Sequence, residues 1–320
     1  MATANYLGVL DYQSSLPERE LLLRFWGVRG SIPAPGPETA RYGGNTSCVE
    51  LRLGSEVLIL DAGSGIRTLG LQLANEPELD PLQLTLLISH THWDHIQGLP
   101  FFRPAYDRAS QMAILGAPGT RERLQTALVR QMEPMQFPIS LESLRGISGI
   151  DEFSSATSRI GSFHIQSIGL NHPGGCTGFR ITAGGQTVAY LPDHESYRIA
   201  TQSPDQLMAT TARKAEAELV QFLEGCDLLI LDAQYNRLEY PAHIGWGHGC
   251  LDDSVALALR TGVEQLFLFH HDPNHDDAEI DSMLDEAHRQ VIEAGAQLKV
   301  RAARERQQVI PALRSQELVA

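Results

Sequence analysis

The stretch LISHTHWDHIQGLP, residues 87–100, places three histidines and an aspartate directly after a run of apolar residues. In an extended segment, side chains two residues apart share a face, so His90 and His92 point the same way. The chain then has to turn, which leaves Asp94 and His95 adjacent. Imidazole and carboxylate groups together suit zinc, and also manganese or iron. This stretch therefore predicts a divalent metal site with two pairs of ligands.

Further candidate ligands occur where later apolar segments end. His172, Asp193 and the pair His270–His271 each come directly after a predicted strand. Open α/β sheets place their sites at the carboxyl ends of strands. The recurrence of such groups at successive strand ends favours one shared centre. Two metal ions about 3.5–4 Å apart are the usual arrangement for hydrolysis at such a centre.

The pattern of apolar segments predicts a single α/β domain over residues 21–310, between tails at 1–20 and 311–320. Predicted strands cover 21–26, 47–53, 56–60, 161–170, 177–182 and 186–191, with others in LQLTLLIS, CDLLILDAQY, EQLFLFHH and QLKVRAA. Predicted helices lie in DAGSGIRTLGLQLANE, at 119–132, and in TARKAEAELVQFLEG, LDDSVALALRTG and DDAEIDSMLDEAHRQVIEAG. No linker or repeat divides the chain.

Composition excludes several classes of protein. The 320 residues carry a formal net charge of −14, which argues against a long polyanionic partner, because nucleic-acid binding relies on Lys and Arg contacts to phosphate. No apolar stretch is long enough for a membrane span. The four cysteines are scattered, so neither a zinc knuckle nor a redox pair is predicted. The first residues do not resemble a secretory signal, and we expect a cytoplasmic protein.

The motif H-T-H-W-D-H at residues 90–95 resembles the H-x-H-x-D-H signature of the metallo-β-lactamase superfamily, and the later order His, Asp, His also matches. The resemblance covers roughly residues 22–310. It implies a four-layer αβ/βα sandwich, with two mixed sheets, helices outside and a dinuclear metal site at one edge. It also implies ligand roles: His90, His92 and His172 for one metal, Asp94, His95 and His270 for the other, and Asp193 as the bridge, with a hydroxide between the metals. His271 remains the alternative to His270.

The C-terminal segment 226–272 resembles the corresponding half of ribonuclease Z and its phosphodiesterase relatives, in which a Gly-His pair opens a helix. This resemblance implies that His248 is a catalytic histidine that protonates the leaving oxygen or steadies the phosphoryl oxygens. Asp232 would orient it. The catalytic set is then His248, Asp232 and the ligand Asp94. His243 is a weaker candidate.

The N-terminal segment 24–51 resembles the phosphoribosyl cyclic-phosphate phosphodiesterase-like group, through its G-x-R-G-S and G-G-N-T-S motifs. LDAGSG resembles the D-x-G loop of the superfamily, which implies that Asp61 supports the site without binding metal. Arg29 is a candidate for a substrate phosphate. His194 could contact the site or the substrate, whereas we expect His275 to be solvated.

These observations predict a hydrolase with two divalent metal ions, with zinc favoured and manganese or iron as alternatives. The expected reaction is attack by a metal-bridged hydroxide on a small cyclic or nucleotide phosphodiester. Two alternatives stay open, a tRNA 3′-end endonuclease and a hydrolase of a carboxylic ester, thioester or lactone. We expect a small-molecule phosphodiester substrate in preference to nucleic acid, and no membrane partner. The helical segment 205–224 could support a homodimer.

Overall fold

The structure is a computed structural model of the chain and describes residues 20–311, so most of the two predicted tails lies outside the described residues. The strands are β1 Leu22–Gly27, β2 Cys48–Leu53, β3 Glu56–Leu60, β4 Gln83–Leu87, β5 Gln111–Gly116, β6 Ile147–Glu152, β7 Thr157–Ile160, β8 Phe163–Leu170, β9 Cys176–Ala183, β10 Gln186–Leu191, β11 Leu228–Asp232, β12 Gln265–Phe269, β13 Lys299–Ala302 and β14 Gln308–Val309. The α-helices are α1 Ile66–Leu73, α2 Trp93–Ile96, α3 Arg121–Arg130, α4 Arg198–Thr201, α5 Gln206–Leu223, α6 Leu251–Thr261 and α7 Asp277–Glu293.

The strands form two seven-stranded mixed sheets with matching topologies. The first has the order β14-β1-β2-β3-β4-β5-β6 and the second β13-β12-β11-β10-β9-β8-β7. In the first sheet, the strand pairs from β14 to β3 are antiparallel and those from β3 to β6 are parallel. In the second sheet, the pairs from β7 to β10 are antiparallel and those from β10 to β13 are parallel. The predicted ligands follow β4 of the first sheet and β8, β10 and β12 of the second, just beyond the carboxyl ends of these strands.

The sheets pack face to face through a buried apolar layer. Phe25 of β1 lies 5.2 Å from Phe267 and 6.1 Å from Phe269 of β12, measured between ring centroids. A second cluster packs α1 and α3 against the first sheet, and a third packs α5, α6 and α7 against the second. Helix, sheet, sheet and helix are therefore the four layers, and the expected sandwich is confirmed.

Helix ends follow ordinary capping chemistry. The Asp205 carboxylate accepts hydrogen bonds from the backbone N–H groups of Leu207 and Met208, so α5 begins at Gln206. Gly262 ends α6 in the left-handed conformation, with φ at 65°. Cys250 precedes α6, and Asp252 and Asp253 lie in its first turn, where carboxylates suit the positive end of the helix dipole. No helix among residues 20–311 is both long and apolar enough to cross a membrane.

Candidate metal centre

The predicted ligands converge at one edge of the sandwich. The segment after β4 carries His90 and His92, and the short helix α2 carries Asp94 and His95. The others follow strands of the second sheet: His172 after β8, Asp193 after β10 and His270 after β12. Four stretches that are far apart in sequence, at 90–95, 172, 193 and 270, therefore deliver their polar groups to one place.

Two groups of ligand atoms surround the Asp193 carboxylate. Its Oδ2 lies 3.5 Å from His90 Nε2 and 3.6 Å from His172 Nε2. Its Oδ1 lies 3.0 Å from His95 Nε2 and 3.4 Å from His270 Nε2. The two oxygens therefore face different sets of imidazoles, which is the arrangement a bridging carboxylate requires.

Each set could hold one metal ion. In the first, donor atoms of His90, His92, His172 and Asp193 all lie within 4.8 Å of one another. In the second, the same holds for Asp94, His95 and His270, and the Asp94 Oδ2 lies 3.1 Å from His270 Nε2. These two sets match the ligand assignment that the resemblance implies, and the assignment itself stays a prediction.

The outer ring nitrogens are held so that the inner nitrogens face the centre. His95 Nδ1 lies 2.8 Å from Asp61 Oδ2, His172 Nδ1 2.8 Å from the Gly247 carbonyl and His270 Nδ1 2.9 Å from Gln234 Oε1. Because each acceptor takes the Nδ1 hydrogen, it leaves the Nε2 lone pair pointing inward. The tautomers therefore suit metal ligation.

Buried polar atoms without partners show that these residues fit a cation. His90 Nε2, His95 Nε2 and Asp193 Oδ1 are buried and have no partner in hydrogen-bonding geometry. Leaving such groups unpaired costs about 1–3 kcal/mol each. A divalent ion would satisfy all three, since imidazole nitrogen and carboxylate oxygen are its usual ligands.

The electrostatics of the cluster also favour a cation. Burial lowers the pKa of His90 well below its usual value, and it lowers those of His92 and His172. Burial opposes ionisation of Asp193, but the imidazoles of His270, His95 and His90 hold its pKa well below the ordinary range. At neutral pH the centre thus offers His90, His92 and His172 as neutral imidazoles and Asp193 as a carboxylate, the forms in which both bind metal. Burial also opposes protonation of His95, but the carboxylates of Asp193, Asp94 and Asp61 outweigh it and raise the pKa of His95 well above its usual value.

His248 lies beside both sets of ligands. Its ring stacks on His270 at 4.9 Å and meets His172 edge-on at 5.2 Å. Its Nδ1 lies 3.0 Å from Asp232 Oδ2. Burial opposes protonation, but the Asp232 carboxylate outweighs it and raises the pKa of His248 to about 9. This pair can hold a proton next to the candidate metal centre.

The structure places His270 at the centre and turns His271 away. His271 Nε2 lies 2.9 Å from the Ala303 carbonyl, and the ring is buried against Tyr42. His270 therefore is the residue that meets Asp94 and Asp193. Asp61 receives hydrogen bonds from Ser89 and touches His95, as its predicted supporting role requires.

Two expectations about the surrounding residues were wrong. Arg29 is fully buried and donates to the carbonyls of Gly43, Asp272 and His275, so it is not free for a substrate phosphate. The neighbouring Ser31 instead donates its backbone N–H to Asp94 Oδ2 at 2.8 Å. His275 is not solvated, because its Nε2 lies 2.9 Å from Glu239 in a buried position.

Two other histidines near the centre form protein contacts. The His194 Nδ1 accepts a hydrogen bond from the Asn171 backbone, and burial lowers its pKa to about 4. The ring of His243 stacks on Tyr235 at 4.1 Å. Neither belongs to the two ligand sets.

Sequence reasoning missed Glu195, which holds the loop before His248. Its carboxylate accepts hydrogen bonds from the Tyr240 hydroxyl and from the backbone N–H groups of Gly245 and Gly247. Gly247 in turn has φ at +89°, and a Cβ there would lie 2.4 Å from His172 Nδ1. Only glycine therefore lets this carbonyl reach His172. The sequence feature that could have pointed to Glu195 is its position two residues after the predicted ligand Asp193.

Replacing Glu195 with alanine is expected to lower kcat/KM roughly 10- to 100-fold, since small displacements of working groups have effects of that size. Metal content should stay unchanged, because Glu195 touches none of the inner ligand atoms. Steady-state kinetics with metal analysis check this. Glu195→Gln, which keeps an acceptor, should recover part of the rate, and equal losses in both variants would contradict a positioning role.

The comparisons with known proteins agree with this geometry. The model of the Beta-lactamase superfamily domain matches residues 57–271. Ribonuclease Z of Lacticaseibacillus casei is 26% identical over 258 residues, covering 71% of this chain and 79% of that protein. The metallo-beta-lactamase fold protein YhfI from Bacillus subtilis is similar with a TM-score of 0.65 at 22% identity, covering 91% of this chain and 99% of that one. A diphosphatase from the PhnP family has a TM-score of 0.61 at 16% identity, with 90% and 97% covered.

The chain belongs to the Beta-lactamase superfamily domain family, because that model spans more than half of it. The predicted family, fold and enzyme class are confirmed: the chain is a metal-dependent hydrolase of this superfamily. The cluster of His and Asp residues is suited to divalent metal.

Proposed function

We propose that this member of the superfamily is a phosphodiesterase with two divalent metal ions, acting on a small cyclic or nucleotide phosphodiester. The observation that carries the proposal is the His248–Asp232 pair, stacked on His270 at the edge of both ligand sets. Cleavage of a phosphodiester releases an alkoxide unless a proton is supplied. A protonated imidazole at this position meets that need.

The seven ligands divide the work of holding metal. His90, His92 and His172 would bind one ion, Asp94, His95 and His270 the other, and Asp193 would contribute one oxygen to each. Zinc is the metal we favour, since three or more imidazoles with carboxylate are typical of it, with manganese or iron as alternatives. When bound, such ions supply hydroxide near neutral pH and neutralise charge on phosphate oxygens.

The chain's own groups control the proton. Asp232 fixes the ring of His248 through Nδ1, and it is itself fixed by the backbone N–H groups of His194 and Gln234. The remaining ring nitrogen, Nε2, is then free to donate to the departing oxygen. Glu195 and Gly247 fix the position of the loop that carries His248 relative to the ring of His172.

A tRNA 3′-end endonuclease is the second candidate, because the relatives named Ribonuclease Z match most of this chain. That similarity does not support our expectation of a substrate other than nucleic acid. The charge of −14 and the burial of Arg29 nevertheless favour a small substrate, since a polyanion requires cations for its phosphates. Hydrolysis of a carboxylic ester, thioester or lactone is the third candidate, since an ester or a lactone also releases an alkoxide that His248 could protonate.

Protein purified without chelator is expected to contain about two metal ions per chain and to hydrolyse bis(p-nitrophenyl) phosphate. Metal analysis by mass spectrometry and a colorimetric assay check this. Dialysis against a chelator should abolish the activity, and zinc or manganese should restore it.

A precursor tRNA and p-nitrophenyl acetate, assayed in parallel, separate the three candidates. Metal-dependent cleavage of the acetate without cleavage of the phosphodiester would contradict the proposal and favour a carboxylic ester. Faster processing of the tRNA than of any small diester would favour the endonuclease.

A further inference from the structure

Two of the three tryptophans are exposed beside the metal centre. Trp93 is 63% exposed and Trp246 is 60% exposed, whereas Trp26 is 4% exposed and its indole N–H donates to Glu50. An indole is the largest apolar side chain, and leaving one in water forgoes the stabilisation that its burial would provide. Two exposed indoles, each close in sequence to residues of the metal centre, therefore suggest a binding role.

Both exposed indoles belong to segments that meet at the ligands. Trp93 lies between His92 and Asp94 on α2. Trp246 directly precedes Gly247, whose carbonyl lies 2.8 Å from His172 Nδ1. His92 Nδ1 and His172 Nε2 are only 2.9 Å apart, so the two tryptophans belong to chain segments that are in contact.

Aromatic rings continue from the His248 ring to Trp246. Tyr235 lies 6.2 Å from His248, and His243 stacks on Tyr235 at 4.1 Å with 12° between the planes. Trp246 meets His243 edge-on at 4.8 Å. We call Tyr235, His243 and Trp246 the aromatic wall. Its loop is fixed, since Glu195 accepts hydrogen bonds from the backbone at Gly245 and Gly247, on either side of Trp246.

Two arginines near the centre donate hydrogen bonds to backbone carbonyls. Arg29 is buried against carbonyl oxygens, whereas Arg123 is exposed and donates one N–H to the carbonyl of Gly174, in the loop after His172. With an overall charge of −14, the chain has little to offer a row of phosphates. The exposed indoles of Trp93 and Trp246 offer a different source of affinity, because any planar base can stack on them, whereas Tyr235 is buried and supports the wall from behind.

We propose that the aromatic wall and Trp93 form a subsite for a planar aromatic ring, a nucleobase carried by the phosphate ester. The inference rests on the proposed phosphodiesterase function and narrows its substrate to a nucleotide or cyclic nucleotide. The phosphate would meet the metal centre while the base stacks beside it. A sugar phosphate without a base would lack this second contact.

Binding of AMP and ribose 5-phosphate to the zinc-loaded protein tests the subsite without turnover. We expect AMP to bind roughly tenfold more tightly by calorimetry, within the range that one stacked base contributes. Trp246→Ala and Trp93→Ala should each reduce that preference, and the double variant should abolish it with the metal content unchanged. Leu207→Ala removes an equally exposed apolar side chain from α5 and should change nothing.

Tryptophan fluorescence gives an independent readout, because the buried Trp26 is shielded from the ligand. AMP should quench the emission of the wild type and not that of Trp93→Phe/Trp246→Phe. Equal affinities for AMP and ribose 5-phosphate, a preference that survives in the double alanine variant, or no detectable AMP binding would each overturn the subsite.

Kinetics separate this inference from the proposed function. With thymidine 5′-(p-nitrophenyl) phosphate and methyl p-nitrophenyl phosphate, Trp246→Ala should lower kcat/KM for the nucleoside ester roughly tenfold and for the methyl ester less than about twofold. Cleavage of both esters with equal sensitivity to Trp246→Ala overturns the subsite alone. Tryptophan-dependent AMP binding without cleavage of any diester overturns the phosphodiesterase alone.

Discussion

Asp193→Asn is expected to lower phosphodiesterase kcat/KM by more than about 10³-fold, since a shared metal ligand contributes several kcal/mol of charge stabilisation. The two oxygens of Asp193 face different imidazoles, with Oδ2 3.5 Å from His90 and Oδ1 3.0 Å from His95. An amide supplies one oxygen and turns an NH₂ group toward the other set. We therefore expect metal analysis to find about one ion or fewer per chain, instead of the proposed two.

Glu195→Gln is the matched control, because it makes the same isosteric change two residues further along the chain. Glu195 bonds to the 240–247 loop and not to the inner ligand atoms, so this variant should keep its metal. Circular dichroism and thermal melting of the two metal-free proteins show whether folding is retained. An Asp193→Asn protein that keeps both its metal and its rate would exclude the bridging role.

The site could be predicted where its residues follow a local rule. His90 and His92 share a face because they are two apart in an extended segment, and their ring centroids lie 4.6 Å apart. His172, Asp193 and His270 were located by the rule that polar groups after apolar strands lie at a sheet edge, and all three converge there. Such rules need only the nearby sequence.

Residues whose roles depend on distant partners were harder to predict. An arginine in a G-x-R-G-S motif suits a phosphate, but Arg29 instead binds carbonyls of Asp272 and His275, which only the fold brings near. Gln234 orients His270 through a hydrogen bond. Its position two residues after Asp232, on the same side of the chain, was a weak hint in the sequence that it lies near the site. No contact with His270 could be deduced from that spacing.

Three strands in the middle of the chain were also missed: β5 and β6 of the first sheet and β7 at the edge of the second. β5, β6 and β7 lie between residues 111 and 160, where no strand was predicted. β6 reads ISGIDE and leaves half-buried and exposed residues on both faces, because among residues 20–311 it pairs in the sheet with β5 alone. An edge strand with Gly and acidic residues lacks the apolar period on which the prediction depends.

His248→Ala is expected to lower kcat about 10²- to 10⁴-fold on a diester with an alkoxide leaving group, the range for loss of a general acid. With p-nitrophenolate, which leaves without a proton, the loss should be much smaller. Steady-state rates on the two esters measure the contrast. A purely structural role for His248 would lower both rates equally.

The metal content of the His248→Ala variant shows whether His248 acts as a general acid or as a metal ligand. His248 lies within 4.8 Å of donor atoms of both Asp193 and His270, so it could reach a metal ion. Its Nδ1 is hydrogen-bonded to Asp232, and its pKa is raised to about 9. Both favour the protonated form of His248, which cannot bind metal. We therefore expect the variant to retain all its metal, and loss of an ion would make His248 a ligand and remove its assigned role.

The variant Asp232→Asn tests the role of His248 as a general acid through the pH dependence of kcat/KM. Burial alone would lower the pKa of His248, and the Asp232 carboxylate reverses that effect. Removing the charge therefore lowers the pKa, so the proton needed by the leaving oxygen is lost at a lower pH. The alkaline limb of the kcat/KM profile should move toward neutrality for the alkoxide ester. It should stay in place for the p-nitrophenyl ester, whose departure needs no acid, and an equal shift for both would assign the limb to another group.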